Sequence, residues 1–345
     1  MTLPLLSYMR LKLIAVVIRC IVRIANITRV FHPEPKYKNK QRLRIPSRDA
    51  GRFILADLYT PEQNNTSTNN DDTNNDDNNP TPIIINFHGS GFVIPSLGSD
   101  ARYCSHIANA TGIPVLDADY RKGPEHPFPA APEDVFDVLH WIITVQSARF
   151  DTHNIVLSGF SAGANLALVA SSSLQKQLRQ NLLLPSGEDD FDIKATVAFY
   201  PVTNLTILPE AKIVPKPRYP IHPALGRIFD ACYVPDSVRD RSVMRNPLIS
   251  PSFVDEEDFP DTVVIITCEG DTLAPEGNEL AEKLKESGGK RKGGKESRRR
   301  RRKVMNVQLK GVGHAFDKFT GNIEKKRREE AYGLVVEVLK EVFGK

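Results

Sequence analysis

Short apolar runs, separated by segments with helical spacing, constrain this chain more than any other feature of its sequence. Ile83-Ile84-Ile85 with Phe87, Ile113–Leu116, Ile155–Leu157, Ala195–Phe199 and Val263–Ile266 read as strands buried on both faces. Val304–Leu309 joins them with an alternating pattern. Between them, Pro132–Val145 sets Val135, Leu139, Ile142 and Ile143 on one side, and Ser161–Leu174 is rich in Ala and Leu. Asn278–Leu284 is short, and Glu324–Phe343 carries a stripe through Ala331, Val335, Val338 and Leu339. Strands alternating with helices predict an α/β fold, a mostly parallel central sheet flanked by helices. Two earlier runs, Tyr37–Ser47 and Gly51–Pro61, alternate as strands do and predict a leading hairpin.

The alternation lapses three times. Glu62–Pro80 is almost purely Asn, Asp and Thr, too polar to offset the entropy of ordering, and is expected to be a disordered insert (62–80). Gly288–Lys303 is its basic counterpart, a loop (288–303) ending in an Arg run that also has the form of a nuclear address. Pro201–Pro251 is proline-rich with scattered apolar residues and reads as an insertion, about 202–251, over the carboxyl edge of the sheet. Without the two biased inserts, the 345 residues suit one α/β core plus a cap rather than two domains. The formal charge of +4 comes from a surplus of +8 between Glu286 and Lys303. The rest of the chain is mildly acidic, so the charge gives no reason to expect an acidic substrate or nucleic acid as partner.

Residues 1–36 form the first segment, and 37–345 the α/β domain. Within Met1–Phe31, Lys12, Arg19 and Arg23 share one side at helical spacing, while Leu13, Val17, Ile21 and Ile24 lie opposite. The apolar run Leu13–Ile18 is far shorter than the ~20 residues of a spanning helix. Two arrangements fit an amphipathic helix here: packing on the protein's own body, which we expect, or docking on a membrane surface through residues 1–31. No cleavage site follows, so the expected compartment is the cytoplasm, with or without attachment to a membrane. Four scattered cysteines and eight histidines show no metal-ligand spacing, and no metal site is expected.

The chemistry concentrates at strand ends. Ile155–Gly163 runs from a strand through Gly159-Phe160-Ser161-Ala162-Gly163 into a helix, a sharp turn that lifts Ser161 Oγ out of the sheet. His88-Gly89-Ser90-Gly91-Phe92 follows another strand, and its unencumbered N–H groups suit an oxyanion. Ser90 and Gly91, with Ala162 after the nucleophile, are the candidate donors. A nucleophilic serine needs a base and an orienting acid. Beyond Ser161 the chain holds two histidines: His222, in the proline-rich insertion, and His314, just past the last strand. Asp271 follows the strand Val263–Cys268, which gives the order Ser161, Asp271, His314.

These residues resemble the hormone-sensitive-lipase-like α/β-hydrolases, which include arylacetamide deacetylases and microbial carboxylesterases. The resemblance is carried by His88–Phe92, Asp119-Tyr120-Arg121, Pro124–Ala131 with Asp134, Gly159–Gly163, Tyr200-Pro201, Asp271 with Glu276-Gly277, and Gly313-His314 with Phe316. It implies an α/β-hydrolase fold with a cap built from the N-terminus and an insertion. Three positions depart from the family pattern: Ser90 where Gly is usual, Phe160 where Asp or Thr is usual, and Pro275 in place of a second acidic residue. The reading is a serine carboxylic-ester hydrolase acting on small esters of short-to-medium acyl chain, with no metal or organic cofactor. Alternatives are a membrane-surface lipase or sterol/arylacetamide deacetylase, and a non-catalytic ligand receptor on the same fold.

Overall fold

A computed structural model describes residues 5–28, 37–62, 79–181, 191–235, 240–287 and 302–344. The Asn/Asp insert (62–80) and the basic loop (288–303) lie, except for their ends, outside the described residues, as do 29–36 of the N-terminal segment.

In chain order the elements are α1 (Leu5–Thr28), β1 (Lys40–Pro46), β2 (Phe53–Tyr59), β3 (Thr81–Phe87), α2 (Ala101–Thr111), β4 (Val115–Ala118) and α3 (Ala130–Thr144). Then follow β5 (Phe150–Phe160), α4 (Ala162–Val169), α5 (Gln175–Asn181), β6 (Ile193–Phe199), α6 (Pro223–Tyr233) and the short α7 (Arg241–Met244). The chain closes with β7 (Thr262–Cys268), α8 (Ala274–Glu286), β8 (Lys303–Leu309) and α9 (Asn322–Val342). The strands form one eight-stranded sheet in the order β1-β2-β4-β3-β5-β6-β7-β8. β1 and β2 are the expected hairpin, β2 pairs antiparallel with β4, and the remaining pairs are parallel.

Alternation in β3 shows why the strands are apolar throughout. Ile83, Ile85 and Phe87 join the core under α3 and α4, whereas Ile84 joins the opposite core under α2 and α9. Both faces of β3 are covered, so Ile83 to Phe87 are all buried, whereas the edge strands β1 and β8 keep exposed or half-buried positions along their length. α2 carries no obvious stripe in sequence, because its buried face is built from Ala101, Cys104, Ile107 and Ala108 with Tyr103.

The proline-rich insertion contains a regular element that composition hides. Pro223 occupies the first turn of α6, where its missing N–H costs nothing, and His222 Nδ1 accepts from Ala224 N–H at 3.2 Å as the cap. The two ends of the insertion are drawn together by Asn165 of α4, whose side-chain amide donates to Val202 O and Ile249 O, both at 2.9 Å. Leu205 N–H adds a bond to Ser250 Oγ at 2.9 Å.

α1 packs on the body, as expected, but through the opposite face from the one an amphipathic helix ordinarily buries. Ala15 is its fully buried residue, set with Leu11 against Val93, Cys232, Ile228 and Phe229. Arg19 makes a bidentate pair with Glu125 at 2.6 and 2.8 Å and donates to Val93 O and Gly123 O, and Lys12 reaches Glu125 at 2.7 Å. Arg23, expected on the same side, is exposed. Burial alone would raise the Glu125 carboxyl, but Arg19 and Lys12 draw it down from 4.5 to about 2. The sign follows: this attachment is complete above the ordinary carboxyl value and is lost as pH falls through about 2. Glu125→Gln, which strands two cations, is expected to speed amide hydrogen exchange in α1 roughly 10-fold at neutral pH. Unchanged exchange would show that packing of Ala15 and Leu11 alone holds the helix.

Candidate active site

A parallel sheet delivers its strand ends to one edge, and the residues singled out by sequence fall there. His88 follows β3, Asp119 β4, Ser161 β5, Tyr200 β6, Asp271 β7 and His314 β8. Neighbouring parallel strands are in register through these ends: Phe87 pairs with Gly159, Phe160 with Phe199, and Cys268 with Leu309.

Ser161 occupies a backbone conformation with φ 53° and ψ −116°, which costs a non-glycine residue of order 1–3 kcal/mol. The surroundings enforce it: Ser161 N–H donates to Phe199 O at 2.9 Å, and Ser161 O accepts from Asn165 N–H at 3.0 Å as α4 begins. The turn also demands small neighbours. A Cβ on Gly163 would lie 1.9 Å from Phe87 O, and one on Gly159 would lie 2.4 Å from Gly163 O. The first helical turn therefore presses against the end of β3, and the His88 loop is brought beside the serine. A Cβ on Gly89 would sit 3.6 Å from Ser161 Cβ.

Asp271 and His314 meet across the next pair of loops. Gly270 N–H donates to Val312 O at 2.9 Å and Gly311 N–H to Glu269 Oε2 at 2.9 Å, joining the turn after β7 to the turn after β8. The fully buried Asp271 accepts from Leu273 N–H at 3.0 Å through Oδ1 and from His314 Nδ1 at 2.8 Å through Oδ2. With Nδ1 carrying the donated proton, Nε2 holds the lone pair and is the atom free to take a proton. His222, the other histidine after Ser161, is the cap of α6 and takes no part.

Tyr200 is the shared neighbour. Its ring centroid is 4.8 Å from that of His314, edge on, and 5.8 Å from that of Phe160. Its hydroxyl donates to Asp317 at 2.5 Å, and Lys318 bridges Asp317 and Asp100 at 2.7 and 2.5 Å. Burial disfavours the Lys318 cation, but the two carboxylates outweigh it and raise its pKa. Phe160 stacks on Phe199 with centroids 4.4 Å apart, and Lys318 Nζ lies 4.5 Å from the Phe160 ring centroid. The departure at Phe160 is thus accommodated by an aromatic wall with a paired cation against it. Asp317 and Lys318 carry no sequence signal, since a charged pair in a loop ordinarily reads as solvated surface.

The loop His88–Phe92 is held from below. His88 is buried, with Nε2 3.0 Å from Asp119 Oδ1, and Lys122 Nζ reaches the same oxygen at 2.8 Å. Burial would raise the Asp119 carboxyl; the bonds from His88 and Lys122 prevail and hold it well below the usual range. Ser90 turns its side chain away from the loop's open side. Tyr120 O–H donates to His88 O at 2.6 Å, leaving Ser90 Oγ–H to donate to Tyr120 Oη at 2.8 Å, while Ser90 Oγ accepts from Phe92 N–H at 2.8 Å. That is how Ser is tolerated where Gly is usual. Among the described residues, no group accepts from the N–H of Ser90, Gly91 or Ala162.

The described residues of 202–251 approach this edge. A Cβ on Gly91 would be 2.7 Å from Phe229 of α6, and one on Gly313 would be 1.5 Å from Arg218 O. Glu276 anchors the same segment by accepting Thr203 N–H at 2.8 Å and pairing with Lys212 at 2.7 Å. Two surface cavities, of about 490 and 740 Å³, are lined by other residues, among them Lys176 and Asp258 in one and Phe136 and Trp141 in the other. Among the described residues, no cluster of three or more His, Cys, Asp or Glu could hold a metal ion.

Residues 84–296 match a family described by its α/β-hydrolase fold. An esterase of Acinetobacter venetianus is 31% identical over a stretch covering 53% of this chain and 55% of that protein. The gibberellin receptor GID1B of Arabidopsis thaliana is 33% identical over 25% of each chain. The chain spans about half the length of the curated relatives it matches. Among solved structures, the Pyrobaculum calidifontis esterase superposes with a TM-score of 0.69 at 26% identity, covering 95% of this chain and 92% of that one. With the strand order and the serine-bearing turn already described, the match over residues 84–296 identifies this chain as a member of the α/β-hydrolase fold family.

Proposed function

We propose that this protein is a serine carboxylic-ester hydrolase acting on small esters of short-to-medium acyl chain. The observation that carries the proposal is the 2.8 Å bond between His314 Nδ1 and the buried Asp271, formed at the same sheet edge as the strained Ser161 turn. In this reading Ser161 Oγ attacks the ester carbonyl as His314 Nε2 takes its proton, and Asp271 fixes the tautomer and stabilises the imidazolium. The N–H groups of Ser90, Gly91 and Ala162 bind the developing oxyanion, a contribution worth about 3–4 kcal/mol per donor where it has been measured. His314 then protonates the departing alcohol, and water releases the acid by the same route. The names of relatives support the class: the Acinetobacter esterase, an ethyl acetate hydrolase of Pseudomonas putida and an arylesterase of Saccharolobus solfataricus.

A fluorophosphonate probe tests the reading. We expect a single adduct on Ser161, formed in step with loss of p-nitrophenyl acetate turnover. Folded protein that neither reacts nor turns over would instead be a ligand receptor, the role named for the Arabidopsis relative.

The tight contact at Gly313 gives a further expectation. Gly313→Ala cannot be accommodated without moving the Arg218 backbone or the His314 loop. A shift of about 1 Å at the base is expected to lower kcat about 100-fold with KM little changed, measured on p-nitrophenyl butyrate. Full activity in Gly313→Ala would place the reacting histidine elsewhere.

A further inference from the structure

The face of α1 turned away from the body is its apolar one. Leu6, Leu13 and Ile21 are 86%, 66% and 61% exposed, and Met9, Val17 and Ile24 lie along the same stripe. An apolar side chain normally contributes stability by being buried, at roughly 25 cal/mol per Å² removed from water. This helix instead spends Lys12 and Arg19 on attachment to Glu125 and leaves its apolar stripe uncovered by any described residue. An exposed stripe of this length is a contact surface.

Its charge selects the occupant. Leu5–Thr28 contains four basic residues and no acidic one. Arg10 is exposed within the stripe, one turn from Leu6 and from Leu13, and Arg23 is exposed beside its C-terminal end, and neither has a carboxylate partner among the described residues. A second copy brought together about a two-fold through α1 would set Arg10 and Arg23 against a helix without a carboxylate to answer them. A lipid surface with anionic headgroups answers both features, taking the apolar stripe at the acyl boundary and the arginines at the phosphates. No described helix is long and apolar enough to cross a membrane, so α1 would lie in the plane of the surface.

We propose that the outward face of α1, centred on Leu6, Leu13, Val17 and Ile24, with Arg10 within it and Arg23 at its edge, docks this protein on an anionic lipid surface. The docking is independent of whether Ser161 turns over esters. It bears on the site nonetheless, because the inward face of α1 packs on Phe229, and Phe229 rests on Gly91. Docking would therefore settle the cap over the Ser90–Gly91 loop from outside, placing that loop beneath a helix that touches lipid.

The test is binding of the full chain to vesicles of phosphatidylcholine alone, or with 30% phosphatidylglycerol, read by co-sedimentation. We expect binding to the anionic vesicles that weakens with salt and falls at least 10-fold on pure phosphatidylcholine. Leu13→Glu/Ile21→Glu should abolish it, and Arg10→Gln/Arg23→Gln should weaken it about 10- to 30-fold, both with unchanged melting temperature. Cys20 gives an independent readout, since it is exposed on α1 while Cys104, Cys232 and Cys268 are buried. A polarity-sensitive fluorophore on its thiol should shift to the blue on anionic vesicles only. Absence of wild-type binding, binding indifferent to the Glu pair, or a concentration-dependent dimer dissolved by the Glu pair in place of lipid binding would each overturn the proposal. Loss of esterase turnover with vesicle binding intact would count against the proposed hydrolase and leave the docking standing.

Discussion

Ser161→Ala is expected to reduce kcat on a short-chain p-nitrophenyl ester about 10⁶-fold, the scale seen when a serine hydrolase loses its nucleophile. Nothing else at the sheet edge can replace it in this mechanism: the His88 ring is engaged with Asp119 and Gly89, and Ser90 Oγ is held by Tyr120 and Phe92. Fold and stability should survive, because Ser161 is held by its backbone bonds to Phe199 and Asn165, which alanine keeps. The same φ of 53° remains strained for alanine as for serine, so the melting temperature should move by no more than a degree or two. Turnover within 10-fold of wild type in folded Ser161→Ala would end the proposed mechanism. Fluorophosphonate labelling should disappear in the same variant, which separates loss of the nucleophile from loss of substrate binding.

Asp271→Asn is expected to lower kcat about 10⁴-fold while leaving the loop in place. Asp271 accepts twice, from Leu273 N–H and from His314 Nδ1–H. An amide has one carbonyl oxygen, and Leu273 N–H needs it. The NH₂ group then faces His314 and drives the ring to the tautomer with its proton on Nε2, so the atom meant to accept a proton already carries one. The large loss therefore reports on the tautomer, and KM should change little. Asp271→Ala should cost as much activity and also stability, since it strands a buried N–H at Leu273. An Asp271→Asn variant within 10-fold of wild type would mean that His314 takes its orientation from another group, with the Tyr200 edge contact the nearest alternative.

The two predictions rest on residues of different legibility. Ser161 announces itself through a strand that runs into two glycines and a serine, and the contacts show why each glycine is there: Gly163 meets Phe87 O and Gly159 meets Gly163 O. Asp271 and His314 were legible only by elimination and order, because a single post-strand Asp or His is commonly a turn residue. His222 shows how little residue type decides, since it caps α6 through Ala224 N–H. Asp317, buried, and Lys318, half-buried, against Tyr200 and Phe160, carried no signal at all. Such groups become buried partners only when three strand ends and α9 converge, a relation no local window contains.

α1 shows the division most plainly. Its sequence determines an amphipathic helix, and by itself its composition favours burying the apolar stripe. The tertiary structure decides otherwise, because the surface that receives α1 offers Glu125, Val93 O and Gly123 O, which Arg19 and Lys12 satisfy and leucine cannot. The sequence likewise determined the parallel sheet, the serine-bearing turn and the order of the candidate acid and base, since periodicity and turn chemistry act over a few neighbouring residues. Only the folded chain decided where the Ser90 side chain points, that Asp317 and Lys318 pack against Tyr200 and Phe160, and which face of α1 looks outward. Each of these depends on groups distant in sequence competing for the same buried hydrogen bond or the same space, and that competition exists only once the sheet has brought them together.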